Sequence, residues 1–354
     1  MARIRFSHFL IIQLLLVSAW GVSCDSLTGS DDDNSSENVE LFPVRVAGSW
    51  GYIDREGRVM IEPQFQNAAP FFEGLAAVRQ NWGWKYIDAS GEVVIEGSYQ
   101  NIQRFSEDRA AVQMEGRWGF INRQGDFIIN PKFRGAYPFS SGLAFVRSLD
   151  FSDYLYIDGN GNPLESVNLP EDIDFVEDNL FTNQRALVRD DEQFGYIDPE
   201  GNTIVDLIYS EAHAFSEEKA AVRVSDRWGF INPMGEVTIQ PQFISVGDFG
   251  NGLAPARRNT NLFGFIDETG NFVINEQFLQ VRPFSEERAP VFINNKWTFI
   301  DLTGNTIVEP IFDEVEPFRN GLARVTTFII DGEDVEEQYG YINTSGDYVW
   351  FPTR

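Results

Sequence analysis

A five-residue phrase recurs nine times along this chain, and the repetition constrains the fold more than any other feature. The phrase reads aromatic, any residue, aromatic, Ile, then Asp or Asn. The copies begin at Trp50, Trp84, Trp118, Tyr154, Phe194, Trp228, Phe263, Trp297 and Tyr339. Successive copies start 34 to 42 residues apart, and a period of this length is typical of repeat architectures. Each unit then buries its apolar face against its neighbours, so we expect function on exposed surfaces.

Each unit is predicted to be a three-stranded antiparallel β-meander. In the third unit the strands are expected at 110–113, 118–122 and 127–130, because these short runs are rich in aromatic and β-branched residues and are separated by glycine-containing turns. The Asp or Asn that ends the phrase can bond backbone amides of the turn that follows. The glycine three residues later can take the positive φ that such a turn requires. All nine units keep it, as Gly57, Gly91, Gly125, Gly161, Gly201, Gly235, Gly270, Gly304 and Gly346.

A second aromatic lies in the connector between each pair of successive units and is expected to pack neighbouring sheets together. It occurs at Phe71, Phe105, Phe139, Phe181, Phe215, Phe249, Phe284 and Phe318. Burying one such side chain contributes about 1.5–3 kcal/mol. A three-stranded meander cannot bury its apolar face alone, so each unit needs the next.

The pattern resembles the WG-repeat family of bacterial proteins, also called KWG repeats. The phrase opens with Trp-Gly at Trp50-Gly51, Trp118-Gly119 and Trp228-Gly229, whereas Lys85, Leu155 and Thr298 replace the glycine in three copies. The resemblance covers about residues 39 to 352. It implies an all-β interaction module without common catalytic residues.

The nine units could form an open array or a closed ring. Counting from Val39, the chain holds nine complete units, and no unit is divided between the two ends of the sequence. Closed propellers often divide one blade in this way, and their blades have four strands. We therefore predict an all-β fold in which the units form an open, twisted, solenoid-like array, with a closed propeller-like ring as the alternative.

The amino-terminal segment predicts export and lipid attachment. Residues 1–23 place two arginines before a short apolar stretch, as in a signal peptide. Cys24, the one cysteine in the chain, lies where a bacterial lipoprotein carries its lipid. Residues 24–38 are acidic and polar, which predicts a disordered tether, and residues 39–354 form the repeat array. We expect a membrane-anchored lipoprotein of the bacterial cell envelope, either periplasmic or on the cell surface.

Charge and composition narrow the functions further. The formal charge is −27, and it becomes −29 without residues 1–23, which contain two arginines and no acid. This balance argues against nucleic acid as a partner. After residue 23 the chain contains one histidine, His213, which we interpret as a packing or surface residue. Cation binding is one interpretation of the repeated Asp residues, but Asn replaces Asp in three units, which favours turn capping. We expect no enzyme activity, catalytic residue, cofactor or metal.

The irregular segments are the best candidates for binding. Residues 326–338 lengthen one hairpin and carry the acidic candidates Asp331, Glu333, Asp334, Glu336 and Glu337. Residues 166–179 replace a regular connector, and in both segments neutral drift is the alternative. Trp82 and Trp350 lie outside the repeated aromatic positions. We predict a monomeric interaction scaffold for a protein or polysaccharide, with a carbohydrate-binding or carbohydrate-active surface protein as the alternative.

Overall fold

A computed structural model describes residues 40–81, 83–149, 154–164, 173–175, 180–190, 193–331 and 334–353. Within these residues the chain forms nine small sheets, in which every paired strand is antiparallel and follows its neighbour in sequence. The sheets are the nine blades of a β-propeller, and they correspond to the nine repeated phrases. The predicted all-β repeat architecture is therefore confirmed.

The strands are numbered in chain order. Blades 1 to 3 contain β1 (Phe42–Val46), β2 (Ser49–Ile53) and β3 (Val59–Phe65); β4 (Asn67–Phe72), β5 (Leu75–Gln80), β6 (Gly83–Ile87) and β7 (Val93–Tyr99); and β8 (Asn101–Ser106), β9 (Arg109–Met114), β10 (Arg117–Ile121) and β11 (Phe127–Phe133). Blades 4 to 6 contain β12 (Gly135–Ser140), β13 (Leu143–Arg147) and β14 (Tyr154–Ile157); β15 (Ile173–Phe175), β16 (Ala186–Asp190), β17 (Gln193–Ile197) and β18 (Thr203–Tyr209); and β19 (Glu211–Ala212), β20 (Ala220–Val224), β21 (Arg227–Ile231) and β22 (Val237–Phe243). Blades 7 to 9 contain β23 (Ser245–Val246), β24 (Ala254–Arg257), β25 (Phe263–Ile266) and β26 (Phe272–Phe278); β27 (Gln280–Val281), β28 (Ala289–Ile293) and β29 (Lys296–Ile300); and β30 (Glu314–Val315), β31 (Leu322–Asp331), β32 (Asp334–Asn343) and β33 (Tyr348–Thr353).

The prediction of three strands per unit needs correction, because most blades have four. The connector that follows one phrase forms the first strand of the next blade, as in β8, where Ile102 pairs with Val112 and Phe105 with Ala110. A bulge between Ile102 and Phe105 breaks the alternation of apolar residues in this strand. The sequence pattern therefore resembles a connector although the backbone pairs as a strand. Within the described residues, blades 1, 4 and 8 have three strands.

The second aromatic of each connector packs against the preceding blade, as predicted. Tyr86 of blade 2 meets Phe105 of blade 3 edge-on, with ring centroids 4.8 Å apart. The Phe120–Phe139 pair, at 4.9 Å, has nearly the same geometry. Edge-on aromatic pairs stabilise beyond the area they bury. The hydrophobic core therefore lies mostly between the blades and is divided among their interfaces.

The glycine that follows tryptophan is required by close approach of two strands. A Cβ on Gly119 would lie 2.6 Å from the carbonyl oxygen of Ile129, because β11 bulges towards β10. Lys85, Leu155 and Thr298 occupy this position in blades 2, 4 and 8. In blades 4 and 8 the described residues form no fourth strand. Blade 2 keeps its fourth strand, and Gly97 lies in the bulge opposite Lys85.

The first and last blades are in contact, which closes the ring. The Tyr341 hydroxyl donates to the Pro43 carbonyl oxygen at 3.0 Å, and the rings of Trp50 and Tyr339 stack with centroids 5.7 Å apart. Gly57 of blade 1 lies against Val349 of blade 9. Other blades repeat this contact between a turn glycine and the preceding fourth strand.

The structure therefore has the closed arrangement that was the alternative, and the preference for an open array needs correction. That preference rested on the absence of a divided blade and on the expectation of three strands per unit, whereas most blades have four. The contacts between blades 9 and 1 close the ring through side chains and through the packing of one turn on one strand. Strand exchange between the chain ends is one means of closure, and packing of complete blades is another.

The two faces of the ring differ. Because strand direction alternates, the turns after the first and third strands of a blade lie on one face. We call this the glycine-turn face, since it carries Gly57 and its eight equivalents. The turns after the second strand and the connectors between blades lie on the opposite face. We call it the hairpin face, because the β31–β32 hairpin projects there.

Candidate interaction surfaces

The repeated Asp and Asn residues cap turns on the glycine-turn face. The Asp267 carboxylate accepts hydrogen bonds from the backbone amides of Thr269 and Asn271 at 2.9 and 3.1 Å. Asn122 accepts the same bonds through its amide oxygen, at 3.0 and 2.9 Å. The nine turn glycines have φ between 80° and 88°, as predicted. Among the described residues, no group of three or more Asp, Glu, His or Cys side chains is arranged to hold a metal.

These bonds predict acid sensitivity. The Thr269 hydroxyl and neighbouring backbone amides outweigh the opposing effect of burial and hold the pKa of Asp267 below its ordinary value. Its contribution to stability is therefore present above about pH 4 and lost as pH falls through the lowered pKa of the folded state. Asp267→Asn should keep the turn, as Asn122 does, and should reduce the loss of stability between about pH 5 and pH 2 in urea titrations. Equal acid dependence of the two proteins would contradict this account.

The lone histidine of the described chain lies between blades. His213 follows β19, and its Nδ1 lies 2.8 Å from a carboxylate oxygen of Asp248 in blade 7. Its ring centroid is 4.9 Å from that of Trp228. The contact with Asp248 links blades 6 and 7, and the contact with Trp228 lies within blade 6. Both agree with the interpretation of His213 as a packing residue.

The long hairpin is the most distinct surface feature. Strands β31 and β32 pair from Leu322 with Asn343 to Asp331 with Asp334, so the predicted lengthening is confirmed. The other strands of blade 9 pair only with the base of this hairpin, with β30 reaching Thr326 and β33 reaching Tyr339. The outer half is therefore a two-stranded ribbon.

The ribbon is apolar on part of its surface and acidic elsewhere. Phe328 and Ile329 are 39% and 44% exposed, Glu337 is exposed and Glu336 is half-buried. The backbone of Asp331 and Asp334 closes the hairpin, and Glu333 lies outside the described residues. Near the base, the Phe328 amide donates to Asp313 at 2.8 Å. This bond ties the ribbon to the blade near its base.

Of the other candidate residues, the structure describes Trp350 and part of the segment 166–179. Trp350 pairs with Tyr341 in the sheet of blade 9 and packs, half-buried, against the cluster between blades 9 and 1. It is therefore a packing residue rather than a free platform. Trp82, Cys24 and most of residues 166–179 lie outside the described residues, apart from 173–175, which form β15.

Comparison with known proteins identifies the repeat. The profile of the WG containing repeat matches residues 50–84, 82–118, 118–148, 194–228, 228–259, 263–297 and 297–327, which together make up more than half of the chain. The chain belongs to the WG-repeat family. No curated protein matches it.

One solved structure supports the fold at low sequence identity. This WG-repeat chain is similar to the crystal structure of a eukaryotic initiation factor, with 12% identity, a TM-score of 0.61, and coverage of 88% of this chain and 95% of the other. Hsv2 from Kluyveromyces marxianus is 7% identical over 66% of this chain and 94% of its own, with a TM-score of 0.40. The first likeness supports a propeller fold. Repeat propellers of this kind suggest protein-interaction scaffolds.

Proposed function

We propose that this WG-repeat propeller is a non-enzymatic lipoprotein of the cell envelope that binds a protein partner through the β31–β32 ribbon. The regular blades bury their aromatic residues against one another. The ribbon instead adds exposed apolar and acidic surface that no neighbouring blade covers within the described residues. This contrast is the observation that carries the proposal.

The ribbon has features of a strand-pairing site. Beyond Thr326, the edge of β31 that faces away from β32 is paired with no other strand in the described part of the chain. Exposed strand edges are templates for pairing with an added strand. The acidic side chains Glu336 and Glu337 favour basic residues on the partner, and Phe328 offers apolar contact.

Shortening the ribbon tests this proposal. We would replace residues 328–337 with Asn-Gly, which turns the hairpin directly after the Thr327–Gln338 pair. The melting temperature should change little, whereas capture of a partner from native membranes should be lost. As the control, Glu115→Asn would give the regular turn Glu115-Gly116 of blade 3 the same Asn-Gly sequence. Capture should persist in this variant.

The charge of the ribbon is tested separately. Glu336→Gln with Glu337→Gln should weaken capture and reduce its dependence on salt, since screening weakens charge pairing over a Debye length of about 8–10 Å near physiological salt. Capture that survives removal of the ribbon would place binding on the regular blades and make the hairpin extension neutral drift.

Attachment through Cys24 is the second part of the proposal. Among the described residues, no helix is long and apolar enough to cross a membrane. Lipidation of Cys24 would hold the propeller at a membrane through residues 24–38. The wild type should then partition with membranes, and Cys24→Ala should be released or remain unprocessed. A wild-type protein that is wholly soluble after cell breakage would refute the anchor.

A further inference from the structure

Two arginines that break the repeat pattern converge on one aromatic ring. Arg104 lies near the end of β8, at a position that is proline in blade 4 as Pro138. Arg319 follows β30, at a position that is serine in blade 8 as Ser285. Their guanidinium carbons lie 4.7 Å and 4.0 Å from the ring centroid of Phe72 in blade 2. The two cations are therefore no further apart than the sum of these distances.

A hydrogen bond across the closure of the propeller holds Arg319 in position. In regular blades the serine hydroxyl donates to the next blade, as Ser285 does to the Phe318 carbonyl at 2.7 Å. Arg319 instead reaches from blade 9 to blade 2, where its Nη2 donates to the Phe71 carbonyl oxygen at 3.2 Å. Only one of its nitrogens is used in this bond.

The nearest carboxylates are bound elsewhere. The Glu73 carboxylate accepts hydrogen bonds from the backbone amides of Glu107 and Asp108, at 2.7 and 3.1 Å, and from the Arg123 guanidinium at 3.1 Å. Glu40 pairs with Arg55 at 2.8 Å. Among the described residues, no carboxylate forms an ion pair with Arg104 or Arg319. Glu73 and Glu40 act on Arg104 and Arg319 only at longer range, through their charge.

We propose that Arg104 and Arg319 form an anion-binding site on the glycine-turn face, for the phosphate or carboxylate group of a small ligand. Each planar guanidinium can donate two parallel hydrogen bonds to such a group. Burial, followed by the nearby Arg319 charge, lowers the pKa of Arg104, and burial lowers that of Arg319. An anion bound at these guanidinium groups would offset this repulsion.

The overall charge limits the ligand to a small molecule. A formal charge of −27 repels extended polyanions, whereas a single oxyanion is governed by the cations within a few ångströms. The site lies on the face opposite the ribbon. Anion binding and partner capture can therefore be tested independently.

Calorimetric titration with inorganic phosphate, and separately with succinate, tests the site. Sodium chloride at equal ionic strength serves as the reference. Phosphate, succinate or both should bind to the mature protein, and whichever binds identifies the chemistry of the ligand. Arg104→Gln should weaken that binding about tenfold or more, the scale of one charged hydrogen bond. Arg117→Gln, which removes an exposed arginine on the hairpin face, should leave binding unchanged.

Four results would overturn the proposal. In the first, neither probe binds beyond the chloride reference. In the second, binding survives Arg104→Gln with an unchanged melting temperature, and in the third, Arg117→Gln weakens binding as much as Arg104→Gln does. One further variant of the full mature chain combines Asp31→Asn, Asp32→Asn, Asp33→Asn and Glu37→Gln. Binding seen only in this variant would assign the site to the chain's own acidic segment and would also overturn the proposal.

Discussion

Gly229→Val should lower the free energy of unfolding by more than about 3 kcal/mol, the upper range for single substitutions. Gly229 follows Trp228 in β21, and a Cβ there would lie 2.5 Å from the Ile239 carbonyl oxygen. The obstructing atoms belong to the backbone of β22, which cannot rotate away as a side chain could. The bulge that brings the strands together also sets the register from Trp228–Phe243 to Ile231–Val237. Urea titration of the purified protein measures the effect.

The matched control is the same position in blade 2. Lys85→Val places valine where a side chain already fits, because Gly97 lies in the bulge opposite. The substitution removes the ion pair between Lys85 and the exposed Glu96, and ion pairs at the surface contribute little to stability. Equal destabilisation by Gly229→Val and Lys85→Val would show that glycine at this position is not required by strand approach.

Gly57→Ala should destabilise the protein by about 2 kcal/mol more than Gly142→Ala, since overpacking typically costs 1–3 kcal/mol. Both glycines have nearly the same φ, 80° and 79°. The strain of placing alanine at positive φ is therefore common to both variants. A Cβ on Gly142 meets nothing within 4 Å, whereas one on Gly57 would lie 2.3 Å from the Val349 carbonyl oxygen.

This comparison tests ring closure in solution. Gly57 belongs to blade 1 and Val349 to blade 9, so their contact exists only in a closed ring. In an open array Gly57 would meet no preceding blade, and the two alanine variants should melt at the same temperature. A difference in the expected direction, measured by thermal unfolding of the three proteins side by side, would support closure.

The sequence alone predicted those features that are decided within a few residues. The phrase around Trp118 and the turn at Gly125 are set by strand alternation and by the positive φ that glycine tolerates, and both require only neighbouring residues. The lengthened hairpin at 326–338 was also predicted from the sequence. Its extra residues begin with a run of strand-forming residues, which favours continued pairing of the two strands. The second aromatic, such as Phe105, was correctly assigned to the interface between units.

Tertiary structure decided the rest, because it depends on contacts between residues far apart in sequence. The strand β8 is recognisable only once Ile102 is seen to pair with Val112, since its own bulge hides the alternation. Closure depends on the angle between neighbouring blades accumulated around the ring, and small differences in packing at each interface change its sum. The bond from Tyr341 to Pro43 and the approach of Arg319 to Phe72 follow from that closure. No local pattern could specify them, because their partners become neighbours only when the ninth blade meets the first.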